Sequence, residues 1–189
     1  MMKSVLIAIR PQWAEKIAKG IKTIEVRKTA PQEVPFKCYI YETKGQYVKF
    51  THGAHTKYGY GRGKVIGEFI CDRIICSQAY FDSQGKNHLT NVFPDDIKKT
   101  CLDEYDLWDY IAGKAVKANQ MYDGYLWHIS DLKIYDKPRE LSEFRKPCDR
   151  FLDCCTCRRL VHNEYMSCDN KITRPPLSWC YVEDLGEEE

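Results

Sequence analysis

The stretch IRPQWAEKIAKGIKTIEVRK, from Ile9 to Lys28, decides how the start of this chain folds. Pro11 suits the first turn of a helix, where the N–H group that it lacks would have no partner. Apolar residues then recur at helical spacing up to Gly20, which is a natural helix terminator. The residues from Thr23 to Lys28 alternate in character. The stretch therefore predicts a short helix followed directly by a strand.

The predicted strand carries an unusual density of charge. Side chains at alternate positions of a strand share a face, so Thr23, Glu25 and Arg27 are expected to point the same way. In a partly closed cleft Glu25 and Arg27 would pair, while Lys22 would supply a point charge or act as a base. The alternative is a solvated strand face with a weak surface ion pair. Arg10 has the same two interpretations, a surface charge or a phosphate contact.

The order of these elements resembles the opening of the ASCH domain, a member of the PUA-like superfamily. The likeness rests on a strand, Arg-Pro, a helix with WAEKI, and then G-x-K-T-x-E-x-R. GKVIGEFICDRI (63–74) is similar to the family's long Gly-containing strand, and TRPPLSWCYVEDL (173–185) to the closing strand of bacterial and phage-associated members. The resemblance covers most of residues 3–137 and 172–185. It implies an α+β fold, a small mixed β-barrel with flanking helices.

The resemblance also implies two activities. PUA-like barrels commonly bind RNA or modified nucleotides, and ASCH members are suggested to bind RNA. One ASCH branch is an amidohydrolase that removes the acetyl group of acetylcytidine nucleosides, and its Lys and Arg correspond to Lys22 and Arg27. That branch has a catalytic Thr where this chain has Glu25, so the hydrolase hypothesis assigns Lys22 as base or nucleophile. Glu25 or Glu68 would then serve as the acid/base.

The remaining sequence predicts further elements of a single domain, 1–189. Apolar runs and turn residues predict strands at 4–10 and 36–43, and a long strand pair or one bent strand at 64–76 with Gly67 as a candidate bulge. Two helices are predicted within 93–113, followed by a strand at 125–138 and a closing strand within 175–185. Trp127, Trp179 and Tyr181 are expected in the core, with base stacking as the alternative role.

A Gly-rich segment, THGAHTKYGYGRGK (51–64), combines cations with aromatic rings. It predicts a mobile loop. Lys57, Tyr58 and Arg62 suit single-stranded nucleic acid, with phosphates on the cations and bases on the rings. The alternative is a loop that its charges keep in solvent.

A Cys-rich insertion is predicted at 148–172. Cys154 and Cys157 form a C-x-x-C pair, which lets two thiolates reach one tetrahedral zinc ion. Cys148 and Cys168 are the best further ligands, and Cys155 and His162 are substitutes. Free thiols and a redox disulfide are the alternatives to structural zinc. The other five cysteines lie in apolar patterns and are expected to be buried thiols: Cys38, Cys71, Cys76, Cys101 and Cys180.

The overall composition limits the function classes. The formal net charge is only +2, so any attraction to nucleic acid has to come from a local patch. No run of about 18 apolar residues occurs, and the N-terminus lacks a signal-peptide cleavage site, so we expect a cytoplasmic protein without membrane contact. The first hypothesis is therefore RNA or nucleotide binding in a barrel-mouth cleft. The alternatives are an amidohydrolase acting on a modified nucleoside and a zinc-stabilised adaptor for other proteins.

Overall fold

The computed structural model describes residues 4–52, 55–113, 117, 120–147 and 170–186. Three α-helices are present in this part of the chain: α1 (Pro11–Ala18), α2 (Pro94–Thr100) and α3 (Glu104–Ala112). The strands are β1 (Ser4–Ile9), β2 (Ile24–Arg27), β3 (Phe36–Glu42), β4 (Gly45–His52), β5 (His55–Gly61), β6 (Lys64–Cys71), β7 (Ile74–Phe81), β8 (Asn87–Leu89), β9 (Tyr122–His128), β10 (Ser130–Arg139) and β11 (Trp179–Val182). None of the described helices is long and apolar enough to cross a membrane.

The strands form three sheets. A five-stranded sheet has the order β10-β6-β3-β1-β11, a four-stranded sheet has the order β2-β9-β7-β8, and β4 and β5 form a separate hairpin. Only the β1–β3 pair among these named pairings is parallel. The predicted α+β class is confirmed, whereas no closed barrel is assigned among the described strands.

Continuous runs of buried residues explain why β1 and β3 lie inside the five-stranded sheet rather than at its edges. In β1 five of the six residues are buried, and all seven residues of β3 are buried, as expected for strands that are covered on both faces. On one face of this sheet, Ala14 and Ile17 of α1 join the cluster of Val5, Ile7 and Phe36. The short helix predicted after Pro11 is therefore confirmed, and its apolar stripe seals one side of the five-stranded sheet.

A second core lies under α3. Ile24 and Val26 of β2 pack in one cluster with Leu107, Trp108 and Ile111 of that helix. The alternation read from the sequence thus places the apolar side chains of β2 against a helix. Both helices predicted within 93–113 are confirmed, with Pro94 as the first residue of α2.

Several sequence interpretations need correction. The 64–76 stretch contains the strands β6 and β7, so the strand pair is confirmed and the single bent strand is wrong, and the two strands belong to different sheets. The single strand predicted at 125–138 is divided between β9 and β10, which also belong to different sheets. The segment at 51–64 is not a loop, because β5 pairs with β4 in a hairpin. Gly67 lies beside a register shift between β3 and β6, as its predicted bulge requires. A Cβ there would stand 2.4 Å from the carbonyl oxygen of Lys133 on β10, so only glycine fits.

Candidate functional site

The charged strand β2 is buried rather than solvated. Lys22 is 3% exposed, Glu25 7% and Arg27 8%. Gly20 has a φ of +68°, which a glycine adopts without strain and which turns the chain from α1 towards β2. Lys22 then enters the strand below the ring of Trp13, with its Nζ 5.5 Å from the ring centroid. Burial excludes the interpretation of this strand as a solvated edge.

Glu25 lies between the two cations. Its Oε2 is 3.3 Å from Lys22 Nζ, and its Oε1 is 3.1 Å from Arg27 Nη2, a terminal guanidinium nitrogen. The pairing of Glu25 with Arg27 was expected from the strand alternation, but the contact with Lys22 completes a cluster of two positive charges and one negative charge. A buried ion cluster is tolerated only where its members satisfy one another, so each of these side chains holds the other two in place.

Lys22 has no spare hydrogen-bond donor in this arrangement. Its Nζ donates to the carbonyl oxygens of Ile24 and Thr100, each at 2.8 Å, and also contacts Glu25. An ammonium group has three donors and no acceptor, so these three partners use its full capacity. Thr100 is the last residue of α2, where a cation also complements the helix dipole. Lys22 therefore fastens β2 to α2.

Arg27 retains one donor that no described protein group accepts. Its Nη2 donates to the carbonyl oxygen of Ala8 at 2.7 Å, which joins β2 to β1 of the other sheet. Its Nε is buried and has no hydrogen-bond partner among the described residues. Buried N–H groups are almost always satisfied, so this unpartnered donor is a candidate contact for a ligand acceptor or a water molecule.

The cluster forms one wall of a cleft of about 760 Å³. The cleft is bounded by α1, β2, α3 and the segment before β11. Its charged, aromatic and larger aliphatic lining residues include Arg10, Trp13, Lys22, Glu25, Arg27, Asp106, Asp109, Tyr110, Pro176 and Leu177. The lining holds three basic and three acidic residues, so it is balanced in charge. Its aromatic and aliphatic groups suit a planar guest with a few polar edges.

Sequence reasoning identified the charged wall of this cleft but not its opposite side. Asp106, Asp109 and Tyr110 come from α3, far along the chain, and no local motif connects them with β2. Arg10 reaches the cleft as an exposed residue. Thr23, which was expected to share the face of Glu25, is not among the lining residues.

Glu68 is not brought to the cluster. It lies on β6 and accepts a hydrogen bond from the hydroxyl of Tyr135, whose pKa is raised by burial and by this contact. Glu68 pairs in register with Tyr39, whose ring belongs to the core on the opposite face of the sheet from Phe36 and α1. The structure thus separates Glu68 from the cleft, which counts against its predicted role beside Lys22.

The aromatic candidates for base stacking mostly remain in the core. Trp127 is fully buried and contacts Phe36 edge-on, at 5.2 Å between ring centroids. Trp179 and Tyr181 are partly buried and pack edge-to-face on each other, and Trp179 donates to the hydroxyl of Thr29. None of the three lines the cleft. Trp13 and Tyr110 are the rings that do.

Lys57, Tyr58 and Arg62 belong to the hairpin region and do not line the cleft. Tyr58 lies on β5, and Arg62 follows that strand with a side chain that is 57% exposed and 3.8 Å from Glu42. This hairpin packs on α1, which itself borders the cleft. The two predicted recognition regions are therefore neighbours on one helix rather than a single site.

The described residues contain no group of three or more metal-ligating side chains. The predicted zinc ligands Cys148, Cys154, Cys157 and Cys168, with the substitutes Cys155 and His162, lie outside the described residues. Of the expected core thiols, Cys38 and Cys71 are buried, and burial raises the pKa of Cys71 to about 12. Cys76 is exposed, so its predicted burial is wrong, and Cys101 and Cys180 are half-buried.

Comparison with known proteins supports the fold. No family model and no curated protein matches the sequence. Among solved structures, the ASCH protein of Zymomonas mobilis matches with a TM-score of 0.53 and 18% identity, covering 96% of this chain and 88% of that one. A serine-to-alanine mutant of the same protein matches with a TM-score of 0.52 and 17% identity, covering 96% and 89%. At this low identity the likeness concerns the fold, and the chain has the fold of the ASCH domain.

Proposed function

We propose that the chain binds a nucleotide unit, free or within RNA, and that the nucleoside part enters the cleft. The observation that carries the proposal is Arg27, which lines a cleft of about 760 Å³ and whose buried Nε–H has no acceptor among the described residues. Nucleobases offer carbonyl and ring-nitrogen acceptors at the edge of a flat ring, which is the geometry that arginine recognises well. The ASCH-like fold is compatible with such a ligand.

The charge balance of the cleft supports a nucleoside over a polyphosphate. Asp106 and Asp109 lie on the same lining as Arg10, so a chain of phosphates would meet acidic as well as basic groups. A neutral base and sugar would not suffer this repulsion. The carboxylate of Glu25 has four lone-pair positions and two cationic contacts, so it retains capacity to accept from an amino group of the base.

The occupied donors of Lys22 support binding rather than amidohydrolysis. A general base needs a free lone pair, and a nucleophilic amine needs to reach the substrate, whereas Lys22 holds two carbonyl oxygens and Glu25. We infer that Lys22 positions Glu25 and Arg27. Incubation with N4-acetylcytidine should therefore release no acetate, and release of acetate by the wild-type protein would favour the hydrolase instead.

The proposal is tested by calorimetric titration with the four nucleoside 5′-monophosphates and N4-acetylcytidine. Arg27→Lys keeps the charge beside Glu25 but removes the Nε–H donor, so we expect it to weaken binding by about tenfold or more. Arg73→Lys is the matched control, because Arg73 is exposed in the turn between β6 and β7. In the wild-type protein the Arg27 Nε–H resonance should shift on titration. An unshifted resonance, or no binding of any of these compounds, would overturn the proposal.

A further inference from the structure

The hairpin of β4 and β5 has one face fastened to the protein. On this inner face the hydroxyl of Tyr47 donates to Glu15 of α1 at 2.6 Å. The ring of Tyr47 covers Gly59, where a Cβ would lie 2.4 Å from the ring. A Cβ on Gly61 would likewise lie 2.4 Å from Cγ of Pro11, at the start of α1. The inner face is therefore packed on the helix, and its two glycines leave room for the ring of Tyr47 and for Thr43 and Pro11.

The outer face carries aromatic and aliphatic side chains without cover. Val48 pairs directly with Tyr58 across the hairpin, and Gln46 pairs with Tyr60, so these four residues share the face opposite to Tyr47. Val48 is 56% exposed, Tyr58 49% and Tyr60 72%. Two tyrosines at positions i and i+2 of a strand stand roughly 7 Å apart. They form an open platform on which flat rings can lie.

The hairpin region is rich in basic residues. Residues 44–64 contain no Asp or Glu, whereas the whole chain has 29 basic and 27 acidic residues. The five cations of this region are Lys44, Lys49, Lys57, Arg62 and Lys64. Three of them contact carboxylates outside this region, which offset part of the positive charge: Lys49 with Glu15, Arg62 with Glu42 and Lys64 with Glu140. A second copy of the same face would be repelled by these cations, whereas a polyanion would be attracted.

We propose that the outer face of the hairpin binds single-stranded nucleic acid, with bases stacked on Tyr58 and Tyr60 and phosphates beside Arg62 and the neighbouring lysines. Stacking on exposed rings tolerates any base sequence, and it needs unpaired bases, which excludes a duplex from the platform. This arrangement combines the two features of non-specific single-strand binders, a cationic track and a row of rings. The hairpin is then an electrostatic and stacking arm beside the cleft.

The inference rests on the proposed function for the identity of the ligand, and it deepens that function by making the ligand a strand. The base of the hairpin is continuous with the cleft, because Gly61 lies against Thr43 and Pro11, and Thr43, Arg10 and Gln12 line the cleft. A strand held on the hairpin would therefore present a terminal or flipped nucleotide to Arg27. The cleft would read that nucleotide, and the hairpin would supply affinity.

The test measures fluorescence anisotropy of a labelled 12-nucleotide oligouridine. The double variant Tyr58→Ala, Tyr60→Ala should bind at least about tenfold more weakly, since each lost stacking contact contributes roughly five- to more than a hundredfold. The matched control, Tyr58→Phe with Tyr60→Phe, keeps both rings and should bind like the wild type. Arg62→Gln should make the affinity less sensitive to salt. All three substituted side chains are exposed, so each variant should fold, and circular dichroism checks this.

The outcomes of this test distinguish failure of the hairpin proposal from failure of nucleotide binding in the cleft. Equal affinity of the alanine and phenylalanine double variants would overturn the stacking platform, as would equal binding of a 12-base-pair duplex. Self-association that disappears in the alanine variant, without oligouridine binding, would assign the face to a second copy and also overturn it. Titration of nucleoside monophosphates reports on Arg27 alone, so it should be unchanged in the alanine double variant.

Discussion

Glu25 is the residue on which the charged wall depends. Removing its charge would leave Lys22 and Arg27 close together in a buried place, with their mutual repulsion uncompensated. The carboxylate therefore has a structural task in addition to any contact with a ligand. This explains how a short strand of the sequence I-E-V-R can have all four residues buried.

Replacement of Glu25 by glutamine tests this role. Glu25→Gln keeps the shape of the side chain but removes the counter-charge, so we expect the free energy of unfolding to fall by about 3–5 kcal/mol. Urea unfolding measures the change. Glu183→Gln is the control, because Glu183 is an exposed residue and its replacement should change stability by less than about 0.5 kcal/mol. A loss below about 1 kcal/mol in Glu25→Gln would contradict a mutually dependent cluster.

For single residues, the sequence predicted those interactions that join close neighbours along the chain. The pair of Glu25 and Arg27 follows from positions i and i+2 of a strand, and the turn at Gly20 places Lys22 beside them. The acceptors Ala8 and Thr100 could not be predicted, because they are backbone carbonyls and carry no residue-specific signal. Tyr110 and the two aspartates of α3 approach only through tertiary packing.

Among the elements, the hairpin depends on one ionisable residue of α1. Glu15 contacts Lys19 at 2.7 Å and Lys49 at 3.5 Å and accepts from Tyr47. The hydrogen bonds from Lys19 and Tyr47 lower the pKa of Glu15 from 4.5 to about 2. Because the folded-state pKa lies below the ordinary value, the ionised carboxylate stabilises the folded protein above about pH 4.5, and this contribution is lost as the pH falls towards 2.

The consequence is a pH-dependent difference between the wild type and Glu15→Gln. We expect the wild type to have the higher melting temperature at pH 5 and the two proteins to converge as the pH approaches 2. Thermal unfolding at a series of pH values measures the gap. Hydrogen exchange should show the largest change in the amides of β4 and β5. Glu183→Gln should follow the wild-type curve, and a gap for Glu15→Gln that stays constant with pH would show that Glu15 acts through its shape alone.

A comparison of the elements also shows why strands were harder to predict from the sequence than helices. Pro11, Gly20, Pro94 and Gly113 mark helix boundaries by local chemistry, and the three helices appear where they were predicted. Strands lack such markers within continuous runs, so 64–76 fitted either a strand pair or one bent strand, and β9 and β10 appeared as one element. The Gly-rich segment appeared as a loop because Gly59 and Gly61 favour flexibility. In the hairpin, however, these glycines make room for Tyr47 and Pro11.

For the whole molecule, the ion cluster acts as a joint between the two larger sheets. Arg27 reaches from β2 in the four-stranded sheet to Ala8 in the five-stranded sheet, and Lys22 reaches α2. The cleft lies at this joint, with α1 on one side and α3 on the other. A ligand that satisfies Arg27 should therefore stabilise the molecule against unfolding as well as occupy a pocket.

The Cys-rich insertion at 148–172 is predicted from the sequence to bind zinc, and this prediction can be tested directly. Protein purified without added metal should contain about one equivalent of zinc, because C-x-x-C thiolates with two further ligands bind zinc tightly. Cys154→Ser with Cys157→Ser should remove the zinc, whereas Cys76→Ser, which changes an exposed thiol on β7, should retain it. Mass spectrometric metal analysis measures the content. A folded wild-type protein with well below one equivalent would contradict a structural zinc and leave free thiols as the better interpretation of the stretch.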